Sequence, residues 1–351
     1  MSSIDPGGRP PAPPPGGDGP PDPPRGPRSR GESIPAAPPG PPSRRWFADL
    51  AWLSGQGVRR DVLIEADGER FTSITPGAPP SASPTPAAPS ASPVAEHLPG
   101  LTLPGFANAH SHAFHRALRA VTQADRGTFW TWRERMYEVA ARLDPDSYLT
   151  LARAVYAEMA LAGVSCVGEF HYLHHQPGGR PYADPNAMGR ALVQAAAEAG
   201  LRMTLLDTCY LAGGLAPAEP GGMLPLAGPQ LRFGDGDAVR WASRVTDLGF
   251  DQHGMISPHA KAGAAIHSVR AVPRDQMHAV VAWAHRWGAP LHVHMSEQQA
   301  ENDACQALYG VSPSQLLYDE DVLGPRSTVV HAIHVDAGDL NLLGGPSTSS
   351  S

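Results

Sequence analysis

Residues 104–116, PGFANAHSHAFHR, place His110 and His112 one residue apart at the end of an apolar run. In an extended strand the side chains at i and i+2 point to the same face, so the two imidazoles converge on one point. That donor pair suits a borderline-soft divalent metal such as zinc. A bare His-x-His is more often two polar residues in a surface loop. Two features weigh against that here: the run LTLPGF (101–106) reads as a strand, and histidines recur at the ends of later strand-like segments.

Beyond His112, strand-like and helix-like segments alternate. A helical stretch around 128–142 is followed by a second helix that opens at Asp144-Pro145, an N-cap with proline in the first turn, and stops at Gly163. VSCVGEFHY (164–172) reads as the next strand. Asp184-Pro185 opens a helix ending at Gly200, and LRMTLLDTCYL (201–211) follows as a strand. A Gly/Pro-rich loop leads to a helix near 237–248. Then come GAAIHSVRAV (strand, 263–272), a helix from Pro273 to Trp287, APLHVHMSE (strand, 289–297), a helical region to about 319, and STVVHAIHV (strand, 327–335). Six strands separated by helices imply a parallel sheet covered by helices. The strand exits carry His110/His112, Glu169/His171/Tyr172, His267/Arg270, His294/Glu297 and His331. Polar groups at the exits of apolar strands are what a β/α (TIM-type) barrel presents at its C-terminal face, which favours that fold over a doubly wound sheet.

Upstream, residues 1–45 are a Pro/Gly-rich extension that cannot bury enough apolar surface to order itself. Residues 46–75 contain DVLIEADG and ERFTSI, short strands joined at Asp67-Gly68, and read as part of a small N-terminal β domain of sandwich type. Residues 76–97 return to low complexity as an insertion, 98–343 supply the first six βα units of the barrel, and 344–351 form a polar tail. Of the 351 residues, 39 are proline, much of it in the two low-complexity tracts, so the remainder is ordinarily globular. The net charge of −7 and the lack of any dense Lys/Arg block speak against nucleic acid as a partner. Lys261 is the only lysine, a coding bias beside abundant arginine. Cys166, Cys209 and Cys305 are isolated, which disfavours disulfides and thiolate metal sites. No apolar run approaches 18 residues and no signal-peptide pattern is present, so the expectation is a cytoplasmic protein without a membrane partner.

The segments NAHSHAFHRALRA, TFWTWRERMY, GEFHYLHH, HSVRAV and HVHMSEQ, in that order over roughly 46–343, resemble the amidohydrolase superfamily, and within it the formimidoylglutamate deiminase family of mononuclear zinc enzymes. The branch with two metals bridges them through a lysine on the fourth strand, and GAAIHSVRAV has none. The resemblance implies zinc-dependent hydrolysis of N-formimino-L-glutamate to N-formyl-L-glutamate and ammonia in histidine degradation. It implies one Zn2+ per chain held by His110, His112 and His294. Glu297 is implied as general acid/base and His331 as the group that stabilises the attacking hydroxide and the tetrahedral centre. Arg133 and Arg270 match the positions that bind the two substrate carboxylates, a pairing the guanidinium fork suits. Tyr172 and His267 match further substrate contacts, and His115 stands where some members have Gln. His292 is left out of the metal shell, His174 and His175 are read as polar loop residues, and His334 is a weaker alternative to His331.

In the resemblance, a fourth metal ligand is an aspartate at the end of strand eight. This chain ends before strands seven and eight, and Asp336 follows strand six. A barrel that is incomplete at its C-terminus leaves open sheet edges. The expectation is therefore a truncated or frameshifted form with weak or no activity. Two alternatives stay open: another mononuclear zinc aminohydrolase acting on a purine, pyrimidine or amidine, and an inactive zinc-binding fragment. The expected partner is a small dicarboxylate, with a homodimer left open as the assembly.

Overall fold

The computed structural model describes residues 43–68, 70–79, 95–120, 122 and 129–344. Most of the N-terminal extension, most of the low-complexity insertion and nearly all of the polar tail lie outside these residues. The chain divides into two units, Met1–Leu103 and Pro104–Ser351.

The first unit contains β1 (Arg44–Leu53), β2 (Gly57–Asp67), β3 (Arg70–Thr75) and β4 (Glu96–Thr102) in one sheet of order β3-β2-β1-β4. β1 and β2 pair antiparallel with Phe47 opposite Leu63 and Ala48 opposite Val62, and β4 joins β1 in parallel. Neighbouring residues face opposite ways, so two small apolar clusters form, Phe47–Leu63–Ala78–Ala95 and Ala48–Ala51–Val62. The expected β2–β3 pairing across Asp67-Gly68 is observed, with Asp67 opposite Arg70.

The second unit opens with β5 (Phe106–Ser111) and corrects the reading of LTLPGF as one strand. Leu101 and Thr102 end β4, and the barrel strand starts only at Phe106. Pro104 has no N–H for a ladder, and Gly105 sits so close to the next strand that a Cβ would lie 2.6 Å from Ser165 Oγ. Residues 96–102 accordingly belong to the small sheet and not to an insertion or to the barrel.

The chain then runs through α1 (Phe129–Arg142), α2 (Pro145–Leu161), β6 (Val164–His171), α3 (Ala187–Ala199) and β7 (Arg202–Cys209). A two-residue hairpin, β8 (Gly214–Leu215) and β9 (Met223–Leu224), precedes α4 (Ala238–Thr246). β10 (Met255–Ser257), β11 (Ala260–Ser268), α5 (Arg274–Trp287) and β12 (Leu291–Met295) follow. α6 (Gln299–Tyr309), α7 (Pro313–Asp319), β13 (Ser327–His331) and α8 (Ala337–Leu343) complete the described chain. Helix ends follow local chemistry. Asp144 caps α2 in a reciprocal box with Ser147, and α3 stops at Gly200, whose φ of 76° is open to glycine without strain. The helix expected to open at Asp184-Pro185 begins two residues later, because Asp184 first accepts the Asn186 N–H in a turn.

β5, β6, β7, β11, β12 and β13 pair in sequence order, all parallel, with β10 appended antiparallel to β11. The sheet is curled. β5 and β12 lie four strand spacings apart in this order, about 19 Å in a flat sheet. Yet His112 Nε2 beyond β5 is 3.3 Å from His294 Nε2 on β12. This is the β/α barrel arrangement, with β5 and β13 at the two edges of the sheet.

Alternation along each strand sorts side chains between the interior and the helical layer. Tyr172 and Tyr210 face the interior cavity, so Glu169, His171 and Asp207 face the helices. The sequence reading had grouped Glu169 and His171 with the exit residues, and here they lie on the other face. His174 and His175 also differ from the expected loop residues: both are buried, 1% and 3% exposed. They join an ion-paired network in which Arg244 on α4 makes two hydrogen bonds to Asp207 (2.9 and 2.8 Å) and two to Asp235 (2.8 and 2.9 Å). Trp241 Nε1–H donates to Asp207, and His175 Nε2 lies 3.0 Å from Asp235.

Burial pushes the Asp207 carboxyl up, but the Arg244 charge, His174 and the Arg244 hydrogen bonds outweigh it and hold it down at about 2. A carboxyl depressed in the folded state stabilises above its unfolded value near 4, and that contribution is lost as pH falls toward 2. Arg244→Met leaves two buried carboxylates uncompensated and should destabilise the chain by about 3–5 kcal/mol at pH 7. The deficit should shrink near pH 4, where the stranded carboxyls protonate. Urea unfolding at both pH values checks this, and a deficit below about 1 kcal/mol at pH 7 would refute it.

Candidate active site

The interior cavity, of about 230 Å³, opens at the C-terminal ends of the strands. His110, His112, His115, Arg133, Tyr172, His267, Arg270, His294, Glu297 and His331 all line it, together with Trp132, Met136, Tyr137 and Tyr210. Every site residue expected from the sequence is therefore brought to one place. His292 faces the interior two residues before His294 and does not line the cavity, and His334 does not line it either. His334 engages through its backbone, its N–H donating to Ser296 O at 3.1 Å and its carbonyl accepting from Asn302 Nδ2.

At the floor, His294 Nε2 lies 3.3 Å from His112 Nε2 and 3.2 Å from His110 Nε2. His112 Nδ1 is 2.9 Å from the Phe170 carbonyl, and His294 Nδ1 is 3.0 Å from the His267 carbonyl. A carbonyl only accepts, so in both rings the proton sits on Nδ1 and the Nε2 lone pair is free. Two such lone pairs facing each other at 3.3 Å cannot hydrogen-bond. A cation between them turns that repulsion into coordination, and the carbonyls fix the ring orientations as outer-shell partners do. Burial, chiefly, holds the rings neutral: His110 is lowered to about 4, and His112 and His294 fall well below the ordinary histidine range. The three histidines thus fit a divalent metal. Outside the barrel, His171, His174 and Asp207 form a second buried group. There both Asp207 oxygens already bond the Arg244 cation, so it is a poor cation site.

The His-x-His turn is itself held from the helical side. Ala113 N–H, directly after His112, donates to Glu169 Oε1 at 2.6 Å, and burial pushes this carboxyl up to about 7. Along the wall, His115 Nε2 meets Tyr172 OH at 2.8 Å, and burial lowers His115 to about 3. Arg133 on α1 donates from Nε to Tyr137 OH (2.7 Å) and from Nη2 to Gly213 O (3.4 Å). Glu297 lies between two cationic or ionisable partners: Oε2 is 3.3 Å from Arg270 Nη2 and Oε1 is 3.6 Å from His331 Nε2. Ser296, His331 and Ala332 adopt left-handed φ of 51°, 74° and 48°. Such non-glycine backbone costs of order 1–3 kcal/mol and gathers at functional sites.

The sequence reading missed Tyr137 and Tyr210 as cavity residues. Tyr210 follows β7, whose charged and thiol residues near the exit, Asp207 and Cys209, lie on the opposite parity; its own interior parity was the available signal. Arg270 was placed at the end of a strand over 263–272, but β11 ends at Ser268 and Arg270 sits in the turn closed by Ala271 and Val272 N–H on Ser268 O.

Fold and site together define a β/α-barrel protein with three histidines at the C-terminal ends of its strands that could hold a metal ion. The amidohydrolase family model matches residues 101–345, and the chain belongs to that family. It is 38% identical over 249 residues to formimidoylglutamate deiminase from Pseudomonas aeruginosa, covering 70% of this chain and 52% of that protein. It is 28% identical over 248 residues to 8-oxoguanine deaminase from the same organism, covering 71% of this chain and 52% of that protein. The chain spans about half the length of the curated relatives it matches. Among solved structures, an amidohydrolase from Brucella melitensis superposes with a TM-score of 0.73 at 31% identity, covering 86% of this chain and 62% of that one. Atrazine chlorohydrolase from Arthrobacter aurescens, complexed with zinc, shares the fold with a TM-score of 0.66 at 20% identity, covering 85% of this chain and 63% of that one.

His112→Ala and His294→Ala should each abolish stoichiometric binding of a divalent metal, whereas His171→Ala should leave it intact. Metal content after dialysis, read by elemental analysis, checks this. Retention of about one ion per chain in His294→Ala would remove the three-nitrogen site from consideration.

Proposed function

We propose that this chain carries the catalytic half-site of a zinc-dependent deiminase that hydrolyses N-formimino-L-glutamate to N-formyl-L-glutamate and ammonia, a step of histidine degradation. The observation that carries this reading is the pair of arginines on opposite elements of one small cavity, Arg133 from α1 and Arg270 from the turn after β11. A neutral base needs no such pair; a substrate with two carboxylates does, because each guanidinium presents a fork of donors to a carboxylate.

Zinc is the metal that a site of three imidazole nitrogens favours, held by His110, His112 and His294. When bound it supplies Lewis acidity that lowers the pKa of a water to about 7. Arg270 and Arg133 orient the substrate through its carboxylates, so that the formimino carbon is presented to the cavity floor. Tyr172 OH, His115 and His267 shape the space around it. Glu297 is the proton carrier: its carboxylate passes one proton from the attacking water to the imino nitrogen as the C–O bond forms. It then passes the remaining hydroxyl proton to the resulting amino group, which leaves as ammonia as the C–N bond breaks and the carbonyl forms. His331, within 3.6 Å of Glu297, stabilises negative charge developing on the former water oxygen.

Ammonia release from N-formimino-L-glutamate is the direct assay, with binding of N-formyl-L-glutamate by calorimetry as a second readout that does not require turnover. Arg133→Met and Arg270→Met should each weaken dicarboxylate binding roughly 10- to 100-fold, the equivalent of one or two charge-assisted hydrogen bonds. Unchanged affinity in both variants would discard the dicarboxylate and return the site to neutral amidine or purine substrates. Ammonia release that persists in Glu297→Gln at more than about one-tenth of the parent rate would remove Glu297 from the proton-transfer role.

A further inference from the structure

Glu301 lies in the first turn of α6, does not line the cavity, and has a fully buried side chain. Both its oxygens are committed. Oε2 accepts from Arg270 Nε at 2.9 Å, and Oε1 accepts from the Ser296 N–H at 3.1 Å. Ser296 is the left-handed residue just before Glu297, so one carboxylate ties the arginine after β11 to the turn that carries Glu297 after β12. Arg270 meets Glu297 by a second arm, from Nη2 to Oε2 at 3.3 Å. The guanidinium is thus shared: Nε goes to the buried carboxylate, Nη2 touches the cavity carboxylate, and Nη1 is engaged by neither.

We propose that Glu301 is a positioning residue that holds Arg270 away from full collapse onto Glu297. A lone arginine beside a carboxylate takes it bidentately, through two parallel N–H···O bonds. That arrangement would occupy the donors a substrate carboxylate needs and fix a charge on the oxygens that carry the proton. By anchoring Nε from outside the cavity, Glu301 limits the Arg270–Glu297 contact to one long bond. By holding the Ser296 N–H, it sets where Glu297 starts from the backbone. Asp at this position falls one methylene short, and Gln can accept one of the two N–H groups well but not both. The geometry stands without a substrate; its consequence for ligand binding rests on the reading of Arg270 as a carboxylate partner.

The test compares the whole chain with Glu301→Ala and Glu301→Gln. In the ligand-free protein, 15N NMR of the Arg270 side chain should show an Nε–H protected from solvent exchange. The exchange rate should rise at least tenfold in Glu301→Ala and by less in Glu301→Gln. Unchanged exchange in a variant that retains the parent's Tm overturns the inference, and if Glu301→Ala fails to fold, Glu301→Gln decides it. With N-formyl-L-glutamate as the calorimetric probe, Glu301→Ala should lose roughly tenfold in affinity in the parent. It should lose nothing further in an Arg270→Met background, and a further tenfold loss there would mean Glu301 acts by another route. If the parent itself does not bind N-formyl-L-glutamate, the dicarboxylate reading falls, while the exchange measurement still decides the role of Glu301.

Discussion

Two imidazole lone pairs aimed at one another across 3.3 Å are the constraint around which the barrel unit is organised. Neutral rings are required for this, and burial supplies neutrality by penalising the charged form of both. Orientation is required as well, and it comes from the backbone: the carbonyls of Phe170 and His267 each take an Nδ1 proton and leave Nε2 facing inward. Those carbonyls belong to neighbouring strands, so the ring positions are properties of the sheet rather than of the histidines alone. His112 and His294 are 182 residues apart, and only the curl of the sheet brings them together.

Above this floor the electrostatics change character. Glu297 sits between Arg270 and His331, and Arg270 is in turn shared with the buried Glu301. A cavity with so few free acceptors and two arginines in its wall attracts anions, since the low-dielectric surroundings strengthen each contact relative to water. The Asp207–Arg244–Asp235 network lies on the helical side of the sheet, with its charges satisfied among themselves. Its separation from the interior matters. Buried carboxylates on the outer face bond α4 to β7 without adding negative charge to the cavity side.

Much of this was legible in the chain because strand geometry has a period of two. His110-Ser111-His112 announces a shared face at once, and HVHMSE repeats the pattern on a later strand, so the metal-type residues could be picked out by parity and strand position. What escaped reading lies where parity is silent. LTLPGF looks like continuous apolar strand, yet Pro104 and the close approach at Gly105 break it between two units. His174 and His175 look like loop polarity, but a loop packed beneath α4 buries them against charges from distant segments. Glu301 is one acidic residue in an amphipathic helix. Its partners come from the turns that follow β11 and β12, and nothing local distinguishes it from a solvated helix-start carboxylate.

The strained residues show how the exits of β12 and β13 act as one piece. Ser296 is held left-handed by Glu301 on one side, while its carbonyl accepts N–H groups from Ile333 and His334. Ala332 N–H donates to the Met295 carbonyl, directly after the left-handed His331. The unfavourable φ values at Ser296 and Ala332 are therefore each paired with a hydrogen bond to the other strand's exit, and neither turn can relax without releasing the other. Glu297 and His331 ride on these two turns, so their 3.6 Å separation is set by main-chain bonding rather than by side-chain choice alone. In the roles proposed for them, a proton carrier and its charge-stabilising neighbour gain from such a constraint, because an ångström of slack between them would lengthen the transfer they share. The backbone strain at Ser296, His331 and Ala332 is thus the means by which two flexible side chains are kept in register.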